Sequence, residues 1–260
     1  MKFEVVRNDI ANMNVDAIVL PANPQLKEGS GTSTRIFEKA GRKELQEACQ
    51  KIIKKHGSID VGLTVPTIGY NLNVDFILHT VVPKWIDGKH DEYQLLCTAY
   101  LSALDLANEM GCKSIAFPLL AAGNQGFDLR LAFEIAQKSI ETFNADYKLE
   151  KVYLVVYGEK SVRLVKELNI PVEEVINEKY VLMNDEQCTS DNKREKDRDS
   201  NSAKLLLEKG VKVIKEQLKD PIVQAKLKEV ALVALTAALS KGKKAKLFDV
   251  AGQIVTIVLK

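Results

Sequence analysis

Two kinds of hydrophobic spacing alternate along the first 183 residues of the chain. Short runs rich in Val, Ile and Phe are typical of buried strands, and longer segments repeat their apolar positions every three to four residues, as helices do. The predicted strands are 3–6, 17–20, 63–68, 76–82, 114–117 and 152–157. The predicted helices are 34–55, 92–110, 129–143 and 160–168. This alternation predicts an α/β fold, a three-layer α/β/α arrangement with helices on both faces of a parallel or mixed sheet.

The hydrophobic pattern is interrupted once. Residues 184–202 read NDEQCTSDNKREKDRDSNS and contain no large apolar side chain. Such a segment buries too little surface to offset the entropy of ordering it. We therefore predict a flexible charged linker between a domain at 1–183 and a C-terminal region at 203–260. The apolar spacing of that region and its Asp220-Pro221 pair, a good helix start, predict a small and mainly helical structure.

Charge separates the same two parts. The chain carries a net charge of +2, but residues 203–260 hold twelve Lys against five acidic residues, or +7, which leaves −5 for residues 1–202. A basic helical appendage of this kind is typical of an element for a protein partner or for self-association. Its lysines also allow a membrane-surface or nucleic-acid role. Because aromatic residues are not interleaved with the lysines, single-stranded nucleic acid is disfavoured.

Cysteine usage and hydropathy indicate a cytoplasmic protein. The four cysteines are widely separated and form no CxxC pair or Cys/His cluster, so neither a metal site nor a disulfide framework is predicted. The N-terminus lacks the apolar core of a signal peptide, and no apolar run approaches the about 20 residues of a membrane helix. No cofactor is predicted either.

Two glycine-containing loops lie between a predicted strand and a predicted helix. The first, at 21–37, reads PANPQLKEGSGTSTRIF, and the second, at 118–130, reads PLLAAGNQGFDLR. Glycines ahead of a helix N-terminus allow backbone N–H groups and the helix dipole to hold an anion. Each loop alone could be an ordinary helix cap, with Ser33 or Thr34 in the first and Asp128 in the second. Two such loops at one edge of a sheet favour a diphosphate ligand.

Four motifs, in order along the chain, resemble the macro domain family. They are NDIANMNVDAIVLPAN with the glycine-rich stretch after it, IGYNLNVDFILHTVVPKW, SIAFPLLAAGNQGF and LVVYGEKS. The resemblance covers about residues 3–175 and does not extend to the C-terminal region. It implies a macro-domain-like mixed sheet that binds ADP-ribose, an ADP-ribosylated protein or a related nucleotide derivative.

The resemblance also implies roles for individual residues. Asp9 would accept from the adenine amino group beside the Ile10 backbone, Asn23 would bind the distal ribose, and Tyr157 would stack on adenine. The full set implied is Asp9, Ile10, Ala22, Asn23, Gly29, Ser30, Gly31, Thr32, Ser33, Ala121, Ala122, Gly123, Asn124, Gln125, Gly126, Phe127 and Tyr157.

Four of these residues also have a purely structural interpretation. Asp9 suits a turn after the first strand, and Asn23 suits an Asx-turn before Pro24. Phe127 and Tyr157 sit at strand–helix junctions, where aromatic residues often belong to the core. His79 could act as a general base, since histidine titrates near neutral pH. Its apolar surroundings in the sequence, FILHTVV, favour a structural role instead.

One position departs from the family pattern in a way that affects chemistry. Ser33 stands where many hydrolytic macro domains carry an acidic residue, and serine is a poor base. We therefore expect a binding module for ADP-ribose. The alternatives are an ADP-ribosyl hydrolase that uses Asn23 and a water activated by the ligand's phosphate or by Glu28, and a sensor of a related signalling nucleotide.

Overall fold

The computed structural model describes residues 1–143 and 148–187. Seven strands form one sheet in the order β3-β4-β2-β5-β6-β1-β7. They are β1 Lys2–Arg7, β2 Ala17–Ala22, β3 Thr64–Ile68, β4 Phe76–Val81, β5 Ser114–Pro118, β6 Lys151–Val156 and β7 Val172–Glu174. All neighbours are parallel except β3 and β4, which are antiparallel, so the predicted mixed sheet is confirmed.

Six α-helices accompany the sheet within the described residues, besides a short 3-10 helix at Ile10–Asn12. They are α1 Thr32–Ala40, α2 Arg42–His56, α3 Glu92–Glu109, α4 Leu129–Thr142, α5 Glu159–Glu167 and α6 Glu178–Gln187. The prediction of a single helix at 34–55 is wrong, because Gly41 adopts a φ of 105° and separates α1 from α2. A residue in that region of φ ends a right-handed helix, and glycine reaches it at little cost.

The alternation of side chains along the strands supplies both faces of the core. On β2, Ile18 and Leu20 are buried in one cluster with Ile36 and Phe37 of α1, together with residues of α2. The opposite face is covered by α3 and α4; there the buried Tyr100 of α3 packs on Phe117 of β5 with ring centroids 5.2 Å apart. Burial on both faces explains why the central strands are continuous apolar runs.

The parallel arrangement determines where the loops lie. Strands β2 and β5 are parallel neighbours, so the glycine-containing loops that follow them leave the sheet at the same edge. The segments after β1 and β6, which contain Asp9 and Tyr157, emerge at this edge too, since both strands run in the same direction. The sheet topology therefore gathers all four segments of the predicted site.

The C-terminal end of the described chain was not predicted. Strand β7 and helix α6 follow the last predicted helix, and α6 extends through Gln187 into the segment predicted as a linker. The buried Arg7 side chain holds both elements by pairing with Glu174 at 3.3 Å and Glu178 at 2.6 Å. Residues 188–202 and the C-terminal region at 203–260 lie outside the described residues, so the division into domain, linker and helical region stays a prediction.

No helix in the described ranges combines the length and the apolar character that crossing a membrane requires.

Candidate functional site

A cleft of about 330 Å³ opens at the carboxyl edge of the central strands. Seven residues implied by the resemblance line it: Asp9, Ile10, Gly31, Thr32, Ala122, Gly123 and Tyr157. Other residues of the implied set lie outside this lining, among them Ala22, Asn23, Gly29, Ser30, Ser33, Ala121, Asn124, Gln125, Gly126 and Phe127. The cleft also has walls that were not predicted, including Asn8, Arg35, Ser161 and Asn184.

The first loop leaves the start of α1 open toward the cleft. Gly31 is the N-cap residue, with a φ of 62°, and no side chain among the described residues caps this helix end. The cap interpretation of Ser33 or Thr34 is wrong, because both lie inside α1. They fold the loop back instead: the Ser33 hydroxyl accepts from the Gly29 N–H at 3.0 Å, and the Thr34 hydroxyl donates to the Gly29 carbonyl at 2.7 Å. The first N–H groups of α1 thus remain available to an anion.

In the second loop, the groups available to a ligand are those of the loop backbone and not those of the N-terminus of α4. As expected of a cap, the Asp128 carboxylate accepts from the N–H groups of Arg130 at 3.0 Å and Leu131 at 3.1 Å. A negative charge already occupies the N-terminus of α4, so an anion is not expected there. Gly126, with a φ of 82°, closes a turn by donating to the Gly123 carbonyl at 3.1 Å.

The two loops meet across the mouth of the cleft. The Asn124 side chain donates to the Ser30 hydroxyl, with 2.5 Å between Nδ2 and Oγ. This contact joins residues 94 positions apart in sequence and brings the open end of α1 opposite the loop that contains Gly123. Both glycine-containing loops therefore border the same cleft in this structure.

An aromatic cluster supports the second loop from outside. Buried Phe127 makes an edge contact with Trp85 at 5.1 Å between ring centroids, and Trp85 makes another with Tyr93 at 5.5 Å. The backbone N–H of Trp85 also donates to the Gln125 carbonyl at 2.8 Å. Phe127 therefore has the core-packing role that its strand–helix junction allowed.

Glu92 organises the loop that carries Trp85. Its buried carboxylate accepts from the backbone N–H groups of Ile86, Asp87 and Gly88 at 3.0–3.1 Å and from that of His90 at 2.6 Å. Burial alone would raise the pKa of Glu92, but these hydrogen bonds lower it to about 2. In the sequence this glutamate looks like an ordinary charged residue at a helix start, which is why its role was missed.

Asp9 is buried and already holds several donors. Its Oδ1 accepts from the Ala11 N–H at 3.0 Å, so the turn interpretation is correct. Its Oδ2 lies within 3.3 Å of four donor atoms: Nε and Nη2 of Arg35, Nζ of Lys39 and the hydroxyl of Tyr180. Two cations and a phenol thus share the carboxylate that was expected to meet adenine.

Helix α6 closes the same end of the cleft. The Asn184 Oδ1 accepts from Arg35 Nη2 at 2.6 Å, while its Nδ2 donates to the Tyr180 carbonyl at 2.7 Å. The Tyr157 hydroxyl donates to the Val181 carbonyl at 3.5 Å. The half-buried Tyr157 ring lines the cleft beside this helix.

The side chains considered for catalysis are engaged elsewhere. The Asn23 Oδ1 accepts from the N–H groups of Gln25 at 3.1 Å and Lys27 at 3.2 Å, which is the Asx-turn arrangement. Glu28 pairs with Arg42 at 2.8 Å. Among the residues described as lining the cleft, neither of them appears, nor does Ser33. In the described structure, the side chains of Asn23, Glu28 and Ser33 are thus outside the cleft lining, where a general base would act.

His79 is a structural residue, as expected. It is fully buried and hydrogen-bonds the Thr67 hydroxyl at 2.9 Å, with the Cys49 sulfur 3.9 Å away. Burial lowers the pKa of His79 to about 4 and raises that of Cys49 to about 12. Both groups are neutral near pH 7 and lie within the core.

Comparison with known proteins agrees with this geometry. A family model described as Macro domain matches residues 19–136. An O-acetyl-ADP-ribose deacetylase of Escherichia fergusonii is 43% identical over 168 residues, which are 64% of this chain and 94% of that protein. A macro domain-containing protein of Listeria monocytogenes is 36% identical over 171 residues, 65% of this chain and 97% of that protein.

Solved structures give the same assignment. The Oceanobacillus iheyensis macrodomain with ADP has a TM-score of 0.60 and 29% identity, and the match covers 70% of this chain and 92% of that one. The Trypanosoma brucei macrodomain in complex with ADP-ribose has a TM-score of 0.55 and 26% identity, with 64% and 68% covered. The resemblance found in the motifs is therefore confirmed, and the chain belongs to the macro domain family.

Proposed function

We propose that this macro domain binds ADP-ribose, free or attached to a protein. The observation that carries the proposal is the uncapped N-terminus of α1, which faces the second loop across the cleft. Helix N-termini and successive backbone N–H groups favour phosphate because they offer donors and positive potential without the entropy cost of ordering a long side chain. The ADP and ADP-ribose complexes among the structural relatives support this choice of ligand.

The remainder of the cleft suits the other parts of the ligand. Tyr157 supplies an aromatic face for a base, with Asp9 and the Ile10 backbone beside it. Residues 29–33 and 121–126 would surround the diphosphate, with Ala22, Asn23 and Phe127 near the distal ribose. In this arrangement the phosphate contacts are mostly to backbone, and the base contacts are mostly to side chains.

Calorimetry with matched ligands tests the proposal. ADP-ribose should give saturable binding with one site per chain. ADP should bind more weakly, since it lacks the distal ribose, and adenosine should bind most weakly, since it lacks the phosphates. Failure of ADP-ribose to bind at millimolar concentration, or equal affinity for ADP-ribose and adenosine, would contradict the proposal.

Hydrolysis of an O-acetyl-ADP-ribose ester is the second candidate function. It is favoured by the relatives named O-acetyl-ADP-ribose deacetylase, which are up to 43% identical to this chain. Against it stands the engagement of Asn23 within its own loop and of Glu28 with Arg42 of α2. Water would have to be activated by the ligand's own phosphate, and the products would be acetate and ADP-ribose.

Acetate release from O-acetyl-ADP-ribose separates the two functions. A pure binding module releases acetate no faster than buffer does. Turnover that is lost in Asn23→Ala, with ADP-ribose affinity retained, would make the protein an esterase. Ser33→Asp, which restores the acid common in hydrolytic relatives of the motif, is the gain-of-function comparison.

The C-terminal region at 203–260 is proposed as an element for interaction with a protein partner or for self-association. Light scattering of the full chain, with and without ADP-ribose, distinguishes self-association from a monomer that awaits a partner.

A further inference from the structure

Two residues of α6, about one helical turn apart, lie at the end of the cleft that contains Asp9 and Tyr157, its base end. Asn184 lines the cleft, and the hydroxyl of Tyr180, four residues earlier, donates to the Asp9 Oδ2 at 3.2 Å. Residues at i and i+4 lie on the same face of a helix, so one face of α6 supplies both side chains. That face therefore borders the space expected to hold a base.

Asn184 and Asp9 are linked through a single nitrogen atom. Arg35 Nη2 donates to the Asn184 Oδ1 at 2.6 Å and to the Asp9 Oδ2 at 3.3 Å. All three residues line the cleft, and the Arg35 side chain is only 19% exposed. Two acceptors from distant parts of the chain are thus held close together, so a base that enters this end of the cleft would meet both of them.

The hydrogen bonds of Asn184 fix the direction in which its amide points. The Oδ1 accepts from Arg35, and the Nδ2 donates to the Tyr180 carbonyl at 2.7 Å. Turning the amide over would place its NH2 group against the guanidinium and its oxygen against a carbonyl. An amide has two donor hydrogens and two acceptor lone pairs, and these two partners use one of each. Within the described structure, one N–H and one lone pair therefore remain for a ligand.

We propose that Asn184 is a specificity-determining residue that recognises adenine together with Asp9. This inference rests on the proposed binding of ADP-ribose and deepens it. Adenine presents an amino group beside a ring nitrogen, a donor beside an acceptor, which an asparagine amide complements. The amino group has two hydrogens, so Asp9 and Asn184 can each accept one. Hypoxanthine has a carbonyl oxygen in place of the amino group, and this oxygen would meet acceptors whose orientation is fixed.

The test compares ADP-ribose with its inosine analogue, in which hypoxanthine replaces adenine. The two ligands share the diphosphate and both riboses, so the ratio of their dissociation constants removes the effect of a mutation on the rest of the ligand. Calorimetry on wild type should show a preference for ADP-ribose of at least about tenfold, because two acceptors meet the amino group. Asn184→Ala removes the amide and should lower that preference by about fivefold.

Asn184→Asp separates recognition of the base from a structural effect on α6. This variant keeps an oxygen for Arg35 and for the amino group of adenine, and its added charge repels the carbonyl oxygen of hypoxanthine. The preference for ADP-ribose should therefore stay at the wild-type value or rise. Since Asn184→Asp and Asn184→Ala both lose the hydrogen bond to the Tyr180 carbonyl, a loosened helix would change the two variants in the same direction.

Met183→Ala is the control on the same helix. Met183 is 52% exposed and is not among the described residues that line the cleft. Its substitution should leave the ratio of dissociation constants at the wild-type value. Circular dichroism checks that each variant is folded.

The outcomes distinguish this inference from the proposed function. If wild type binds both nucleotides equally, if Asn184→Ala keeps the wild-type ratio, or if Asn184→Asp loses as much preference as Asn184→Ala, Asn184 does not recognise the base. Each of these results overturns the inference and leaves the proposed function in place. If ADP-ribose does not bind wild type, the proposed function is overturned, and this inference falls with it.

Discussion

Gly123→Glu should strongly weaken ADP-ribose binding while leaving the fold intact. Gly123 lines the cleft, its φ lies outside the left-handed region, and a Cβ added there meets no atom within 4 Å. A side chain at this position therefore points into open space and strains neither backbone nor core. Loss of a flexible glycine also slightly stabilises the folded state through the unfolded chain. We expect the Tm to stay within about 2 °C of wild type.

The loss of affinity follows from charge. At a separation of about 5 Å and an effective dielectric constant of about 40, one pair of like charges repels by about 2 kcal/mol. Since a diphosphate presents two charges, affinity should fall by at least about thirtyfold. Gly123→Gln has nearly the same size without the charge and is the matched control, so it should lose clearly less.

Calorimetry with ADP-ribose and thermal unfolding of the three proteins measure both quantities. Repeating the titration at high salt should recover part of the affinity of Gly123→Glu, because salt screens charges at an open cleft. Affinity of Gly123→Glu within threefold of wild type would refute the placement of the phosphate site. Equal losses in Gly123→Glu and Gly123→Gln would refute the electrostatic part of the reasoning.

Three further predictions concern the elements around the cleft. Gly126→Ala should lower the Tm by about 2–6 °C, because a residue with a Cβ is destabilised by about 1–2 kcal/mol at the φ of 82°. An unchanged Tm would mean that the turn adopts another backbone conformation in the variant. The free energy of unfolding of wild type should fall by about 3 kcal/mol as pH falls from 6.5 to 4, because the unfolded chain binds a proton that the buried His79 ring does not. His79→Gln should not show this loss. Parallel urea-unfolding profiles of the two proteins against pH would contradict the prediction. Glu92→Gln should lower the Tm at pH 7 and alter Trp85 fluorescence. Its stability difference from wild type should vanish as pH falls from about 4.5 to about 2, where Glu92 takes up its proton, and a difference that persists at pH 2 would exclude the carboxylate as its source.

The strands and most of the helices could be predicted from the sequence because each of them depends mainly on the hydrophobic spacing of its own residues. Each central strand is buried on both faces, so its apolar run is unmistakable, and parallel order then places the two glycine-containing loops at one edge. The break at Gly41 was missed, since the apolar pattern of the helix continues across it and only the positive φ separates the two helices.

The hydrogen bonds that the Asp9 carboxylate accepts from distant side chains could not be predicted from the sequence. Its partners Arg35 and Lys39 look like the exposed face of an amphipathic helix, and Tyr180 lies 171 residues away in the chain. Whether a buried carboxylate is satisfied depends on side chains that meet only after folding. Hydrophobic periodicity predicts which apolar positions are buried, but it gives no information about which polar side chains contact one another in the folded chain.

The two ends of the cleft should respond to sequence change in different ways. At the phosphate end the expected contacts come from backbone N–H groups, which most side-chain substitutions leave in place. Ser33 illustrates this: its hydroxyl is turned inward to Gly29, so the position can lose its acid without closing the anion site. At the base end the expected contacts come from a few side chains, among them Tyr157, so a single substitution there should change the affinity for the base. Binding of the diphosphate should therefore tolerate more side-chain substitutions than binding of the base does.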